Sequence, residues 1–177
     1  MTSRWCWALC GWLALGAGLT GCRARDADGV ETEQADFGQP VLFTFGTMEG
    51  TELSSDATRG RTTALLFVTT YDLPSQAEAQ LLRDVLATHK PLANGAIVMM
   101  EPPHAAPLAR VWADSISLKL PIAMASPALV AGESQLGKIV GVPTLVVLDR
   151  RGRLIARSEG AASREGIVQA LARADAQ

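Results

Sequence analysis

The segment that decides the fold reads FVTTYDLPSQAE at residues 67–78, and GVPT follows at residues 141–144. Residues 65–68 are apolar without alternation, which is typical of a strand buried on both faces of a sheet. Over residues 75–89, apolar side chains recur at intervals of three and four, which predicts an amphipathic helix. Ser75 and Glu78 have the spacing of a capping box. The segment therefore predicts a buried strand that leads into a helix, with residues 71–75 at the junction.

The remaining chain alternates further strand and helix patterns. Strands are predicted at 41–45, 51–53, 62–69, 96–100, 121–125, 144–148 and 153–157. Helices are predicted at 106–118, at 130–136 and after Ser163, and turns at Asn94-Gly95 and 149–152. The inward faces of the two longer helices are expected to carry Leu108, Val111, Trp112, Ser115 and Ile116, and Ile167, Val168 and Leu171. The order β-α-β-α, β-β-α predicts one α/β domain with a central mixed sheet, flanking helices and a short N-terminal hairpin.

Residues 37–173 resemble the thioredoxin-like superfamily, and within it the membrane-anchored TlpA-type thiol–disulfide oxidoreductases (redoxin branch). Such proteins carry an aromatic-Cys-x-Pro-Cys stretch after the first core strand and a cis-proline loop like Gly-Val-Pro-Thr. The aromatic and proline positions are kept here as Tyr71 and Pro74, whereas the two cysteine positions hold Asp72 and Ser75. The resemblance implies a thioredoxin-like domain without its redox dithiol.

The missing dithiol limits the chemistry that this site can perform. In the redox-active relatives, the N-terminus of the helix stabilises the first cysteine as a thiolate. Asp72 would keep the negative charge and can cap the helix, but it cannot attack a disulfide, and the Ser75 hydroxyl cannot resolve one. Residues 23–177 contain no cysteine. We therefore expect no catalytic cysteine chemistry, neither dithiol exchange nor peroxidase activity.

The same frame predicts a groove that binds without chemistry. In relatives, the residue before the cis-proline offers its backbone N–H and C=O to an extended peptide, and Val142 occupies that position here. The predicted groove residues are Tyr71, Asp72, Leu73, Pro74, Ser75, Val142, Pro143 and Thr144. A protein segment, a peptide or a small ligand are all compatible partners. The alternative is that residues 72–75 only begin the helix and that Pro143 only shapes a loop.

The N-terminal residues predict export and lipid attachment. Residues 5–19 are uncharged and largely apolar after Arg4, which indicates a signal peptide and is too short for a transmembrane helix. Leu19-Thr20-Gly21-Cys22 resembles a bacterial lipobox, which implies lipidation at Cys22. The predicted division is a signal peptide at 1–21, a polar tether at 22–38 and the thioredoxin-like domain at 39–177. An ordinary cleaved signal peptide or an uncleaved anchor are the alternatives.

Charge and composition exclude several classes of function. The net charge is −2, and removal of residues 1–21 would remove one cation and give about −3. Trp112 would be the only tryptophan left, so neither a basic stripe nor a stacking platform indicates nucleic acid. The two histidines, His89 and His104, have no cysteine beside them after residue 22, so we expect no metal and no cofactor. The sequence favours a non-catalytic, lipid-anchored binding domain facing the periplasm or extracytoplasmic space. The alternatives are a thiol–disulfide role by family resemblance and a non-thiol enzyme that uses Asp72.

Overall fold

The computed structural model describes residues 40–177. The strands are β1 (Thr44–Gly46), β2 (Glu52–Ser54), β3 (Thr63–Val68), β4 (Asn94–Met99), β5 (Ile122–Met124), β6 (Thr144–Leu148) and β7 (Leu154–Glu159). The helices are α1 (Ser55–Thr58), α2 (Leu73–Thr88), α3 (Ala106–Ser115), α4 (Pro127–Ala131) and α5 (Arg164–Asp175), with a 3-10 turn at Pro103–Ala105. Both lists confirm the predicted α/β class.

One mixed sheet organises these elements in the order β5-β4-β3-β6-β7. The strands β3, β4 and β5 are parallel to one another, whereas β6 runs antiparallel to β3 and β7 runs antiparallel to β6. A separate two-stranded sheet, β1–β2, forms the predicted N-terminal hairpin. The parallel half and the antiparallel half therefore meet at β3, which is the central strand.

The central strand is buried on both faces, as its unbroken apolar run predicts. Ala64, Leu66 and Val68 lie in a core cluster with residues of α2, α3 and α5. Leu65 and Phe67 lie in a second cluster, on the opposite face, with residues of β1, β2 and α4. Because both faces of β3 are covered, its C-terminal end is held in place where it passes into α2.

The start of α2 differs from the sequence-based prediction. The helix begins at Leu73 and not at Ser75, and Asp72 is its N-cap. Ser75 is buried inside the first turn, and Glu78 binds the backbone of Ala162 instead of reaching back to the helix start. The predicted capping box is therefore wrong. Asp72 prevails as the cap because its side chain accepts the N–H of Ser75, three residues ahead.

The predicted turn at Asn94-Gly95 is also wrong, because both residues belong to β4. A Cβ atom on Gly95 would lie 2.2 Å from Leu86 Cδ1 of α2. Leu86 would have to shift to admit a side chain, so the glycine allows close packing of helix on strand and does not mark a turn. The side-chain amide of Asn94 donates to the carbonyl of Thr58 and so joins β4 to the end of α1.

Four further expectations fail at the domain surface, since Ser115 of α3 is exposed as well. Leu108 and Val111 are 55% and 65% exposed, because the inward face of α3 is formed by Ala109 and Trp112 and their neighbours. Val168 is likewise exposed on α5.

One helix prediction also needs correction. The helix expected at 130–136 lies at Pro127–Ala131, where Ser126 caps it. The short helix α1, which was not predicted, follows Ser54, whose hydroxyl accepts the N–H of Ala57.

The predicted signal peptide, the predicted lipidation site Cys22 and the whole predicted tether at 22–38 lie outside the described residues. Among residues 40–177, no helix is both long enough and apolar enough to span a membrane.

Candidate functional site: the helix start and the proline loop

Strand pairing brings the two predicted halves of the groove to one edge of the sheet. Phe67, near the C-terminal end of β3, pairs with Thr144, the first residue of β6. Since these strands are antiparallel neighbours, about 5 Å apart, the chain after β3 and the chain before β6 leave the sheet side by side. Residues 71–75 and 142–144 therefore lie at the same edge of the domain.

The helix start is built around the Asp72 carboxylate. Its Oδ2 atom accepts the backbone N–H of Ser75 at 2.9 Å and the hydroxyl of Ser75 at 2.6 Å. Its Oδ1 atom accepts no hydrogen bond from any described residue. Asp72 thus places a carboxylate where the helix dipole is positive, with one oxygen engaged and the other available.

Ser75 is a buried structural group rather than an exposed nucleophile. Its solvent-exposed fraction is 0%, and its hydroxyl donates to Asp72. The backbone N–H of Thr69 lies 3.5 Å from the same hydroxyl oxygen. A reactant at the surface cannot reach this oxygen, so the arrangement offers no serine nucleophile.

The proline loop presents an unpaired stretch of backbone. The Val142–Pro143 peptide bond is cis. The Pro143 carbonyl accepts the N–H of Gly160 at 2.8 Å, and the Thr144 hydroxyl donates to the Gly141 carbonyl at 2.7 Å. The N–H and C=O of Val142, in contrast, have no partner among residues 40–177. These two groups can accept one more extended segment of chain.

The predicted groove residues differ in whether a partner could touch them. The side chains of Ser75, Pro143 and Thr144 are buried, so these three residues support the site from beneath. Asp72 and Val142 are half-buried, whereas Tyr71, Leu73 and Pro74 are exposed. Any contact at this edge would therefore be made by Tyr71 to Pro74 and by the backbone of Val142.

The exposed part of the edge is strongly apolar. Tyr71 is 82% exposed and Leu73 is 78% exposed, and Val140, just before the proline loop, is 74% exposed. Large apolar side chains this exposed, grouped at one edge, are characteristic of interaction surfaces.

Solved structures of similar shape were found for the whole domain, whereas no protein-family model and no curated protein matches the sequence. A DsbF homologue from Corynebacterium diphtheriae superposes with a TM-score of 0.71 at 13% identity, over 84% of this chain and 95% of that one. A secreted thiol-disulfide isomerase from Corynebacterium glutamicum gives 0.70 at 17% identity, over 86% and 95%. A thioredoxin-family thiol:disulfide interchange protein from Chlorobium tepidum gives 0.65 at 21% identity, over 77% and 94%.

The chain has a thioredoxin-like fold. At identities of 13–21%, the likeness establishes the fold of this chain and leaves its activity to be argued from its own residues.

Glu78 is a buried carboxyl of this thioredoxin-like domain that the sequence-based reasoning treated only as part of a capping box. The residue is 2% exposed and lies on the buried face of α2, one turn after Ser75. Its Oε2 atom accepts the N–H of Ala162 at 3.2 Å, and its Oε1 atom has no partner. Burial raises the pKa of Glu78 from 4.5 to about 7, opposed in part by the bond from Ala162. The sequence does carry a signal for it, since Glu78 falls on the apolar stripe of the helix with Ala79 and Leu82.

Glu101 is the second carboxyl that was missed at this edge. It follows β4, and its Oε1 atom accepts both the N–H of Thr70 at 3.1 Å and the hydroxyl of Thr70. Its Oε2 atom is buried without a partner. The signal in the sequence is a single acidic residue directly after a buried strand. Glu101 fixes the segment that leads from β3 to Tyr71.

Other polar clusters and cavities lie away from this edge. Asp175 accepts the Thr62 hydroxyl at 2.6 Å and lies 2.8 Å from His89 Nε2, so it joins α5 to the end of α2. Two surface cavities of about 500 and 620 Å³ share Lys119 and Leu120, and neither includes a predicted groove residue. No group of three metal-ligating side chains occurs among residues 40–177.

Proposed function

We propose that this chain is a non-catalytic, lipid-anchored thioredoxin-like protein of the bacterial cell envelope. Its domain binds an extended segment of a protein partner at the edge formed by residues 71–75 and 142–144. The observation that carries the proposal is the pairing of Asp72 with Ser75 at the helix start, beside the unpaired backbone of Val142.

We expect no redox chemistry because the two positions hold oxygen atoms where the redox-active relatives hold sulfur. Disulfide exchange requires a thiolate to attack a sulfur and a second thiol to release the product. Asp72 and Ser75 supply oxygen at both positions, and no cysteine occurs in residues 23–177. The Asp72 carboxylate and the Ser75 hydroxyl that donates to it replace the thiol pair with groups that do not respond to redox conditions.

The binding role rests on two groups of atoms at the edge. The N–H and C=O of Val142 provide one donor and one acceptor of the kind that pairs with an added strand. Tyr71 and Leu73 provide apolar area that is open to solvent until a partner covers it. Backbone pairing would supply orientation, and burial of the apolar side chains would supply most of the affinity.

The proposed location rests on the N-terminal sequence. A lipid on Cys22 would hold the chain at a membrane, and a flexible tether of residues 22–38 would reach on the order of 20–25 Å from it. The C. glutamicum neighbour is described as secreted, which is consistent with a domain that works outside the cytoplasm.

The proposal is tested by selecting peptides and then mapping where they bind. The full chain, purified in detergent, is used to recover binders from a random peptide library displayed on phage. Binding of the recovered peptides is measured by fluorescence anisotropy to the native chain, to Leu73→Ala and to Leu108→Ala. Leu108 is the matched control because it is an exposed leucine on α3, outside the predicted groove.

We expect Leu73→Ala to weaken binding about tenfold, since a large apolar side chain would lose its buried contact, and Leu108→Ala to leave it unchanged. Equal effects of the two substitutions, or recovery of no binding peptide at all, would contradict the proposed function.

A further inference from the structure

The polar group that faces a partner at the proposed binding edge is a carboxylate oxygen. Asp72 Oδ2 is engaged by two donors from Ser75, and Asp72 Oδ1 has no partner among the described residues. The N-terminus of a helix attracts anions when no acidic side chain caps it. Here the chain's own carboxylate occupies that position, so an anionic partner group would meet a like charge.

One further carboxyl lies behind the segment that leads to Asp72. Glu101 lies against Thr70, two residues before Asp72, and 91% of its surface is buried, with Oε2 unpartnered. Glu159 pairs in register with Thr144, but it forms an ion pair with Arg157 and so adds no net charge to the edge.

The nearest cation on the same sheet is already engaged. The guanidinium of Arg157 donates to the carbonyls of Leu136 and Lys138 and lies 3.4 Å from Glu159. The edge therefore presents the unpartnered Asp72 oxygen beside its apolar side chains, although the positive end of α2 offsets part of the charge on Asp72.

We propose that the partner segment is an extended peptide with a basic side chain, lysine or arginine, whose cation contacts Asp72 Oδ1 while apolar neighbours cover Tyr71 and Leu73. This inference rests on the proposed function, since it names the chemistry of the segment that the same edge would bind. Asp72 is then the specificity-determining residue, occupying the place where the redox-active relatives carry a reactive thiol.

The hydrogen bonds of Asp72 also define the kind of contact. A two-point arginine–carboxylate pair needs both carboxylate oxygens, and Oδ2 already accepts two bonds from Ser75. Only Oδ1 remains, so the contact is a single point contact. Lysine and arginine should accordingly be accepted to a similar extent.

The test uses the full chain in detergent and the phage-displayed random peptide library. Peptides recovered by the native chain, by Asp72→Asn and by Asp114→Asn are sequenced, and their lysine and arginine frequencies are compared. Asparagine remains a good helix cap, so Asp72→Asn removes the charge while keeping the bond to the Ser75 N–H. Asp114→Asn removes the same charge from an exposed position on α3.

A second experiment compares the binding affinities of two peptides: one recovered peptide, and the same peptide with its basic residue replaced by uncharged norleucine. With the native chain and with Asp114→Asn, we expect the basic peptide to bind about three- to fivefold more tightly than the neutral one, and the difference to shrink at high salt. With Asp72→Asn, the two peptides should bind equally, which is the signature of direct coupling in a double-mutant cycle.

The outcomes separate this inference from the proposed function. Peptides that bind at Leu73 without any enrichment of basic residues would overturn the inference and leave the proposed function standing. A preference for basic peptides that persists in Asp72→Asn would overturn the role of Asp72. Recovery of no peptide by the native chain would overturn both.

Discussion

Replacement of Glu78 by glutamine should remove a pH dependence of stability that the native domain carries. Burial raises the pKa of Glu78 from 4.5 to about 7 in the folded chain. Between these two values the unfolded chain releases the proton and the folded chain keeps it, so native stability falls as the pH rises. Above about pH 7 both states are ionised and the loss is complete. The difference in pKa corresponds to about 3 kcal/mol of unfolding free energy.

The assay is urea unfolding of the native chain, Glu78→Gln and Glu133→Gln at several values between about pH 5 and pH 8. As the pH rises across this range, the free energy of unfolding of the native chain should fall by about 2–3 kcal/mol relative to that of Glu78→Gln. The prediction concerns how the difference in unfolding free energy between the two chains changes with pH, because the buried glutamine amide alters absolute stability by itself. Glu133 is exposed and serves as the control, whose profile should match the native one. Parallel pH profiles for native and Glu78→Gln chains would refute the assignment of Glu78 as a buried carboxyl that titrates near neutrality.

Two further predictions concern the polar contacts that hold α2 and α5. Asp72→Ala should lower the free energy of unfolding by about 1 kcal/mol, and Asp72→Asn should lower it clearly less, because asparagine can still cap the helix. Equal losses for the two variants, in thermal unfolding followed by circular dichroism, would argue against the cap. His89→Ala should cost about 1–3 kcal/mol, because Asp175 is left with fewer partners in a largely buried position. His104→Ala, at an exposed site, should change the unfolding free energy by less than about 0.5 kcal/mol, and a matching loss there would contradict the buried network.

The sequence was most informative where one physical signal dominated. The unbroken apolar run at residues 65–68 predicted the central strand, since only a strand covered on both faces tolerates it. The turn at 149–152 correctly predicted the β6–β7 hairpin. Both features depend on local pattern, and together they position the edge that carries the candidate site.

The sequence misled where a tertiary contact decided between local alternatives. Ser75 and Asp72 are both good helix caps, and burial of Ser75 in the first turn of the helix left the role to Asp72. Asn94-Gly95 is a common turn pair, so the sequence predicted a turn there. The contact that explains Gly95 is with Leu86, nine residues earlier on α2, and it cannot be seen in the sequence. The Glu78–Ala162 contact spans 84 residues, so no local pattern could predict it.

The central claim is that a thioredoxin-like frame holds Asp72 and Ser75 at the positions of the redox dithiol. The most direct test is to compare the native chain with the double variant Asp72→Cys, Ser75→Cys for dithiothreitol-driven reduction of insulin, followed by turbidity, after thermal unfolding has verified that both are folded. We predict no acceleration by the native chain and clear acceleration by the double variant. Acceleration by the native chain, or none by a folded double variant, would contradict the claim.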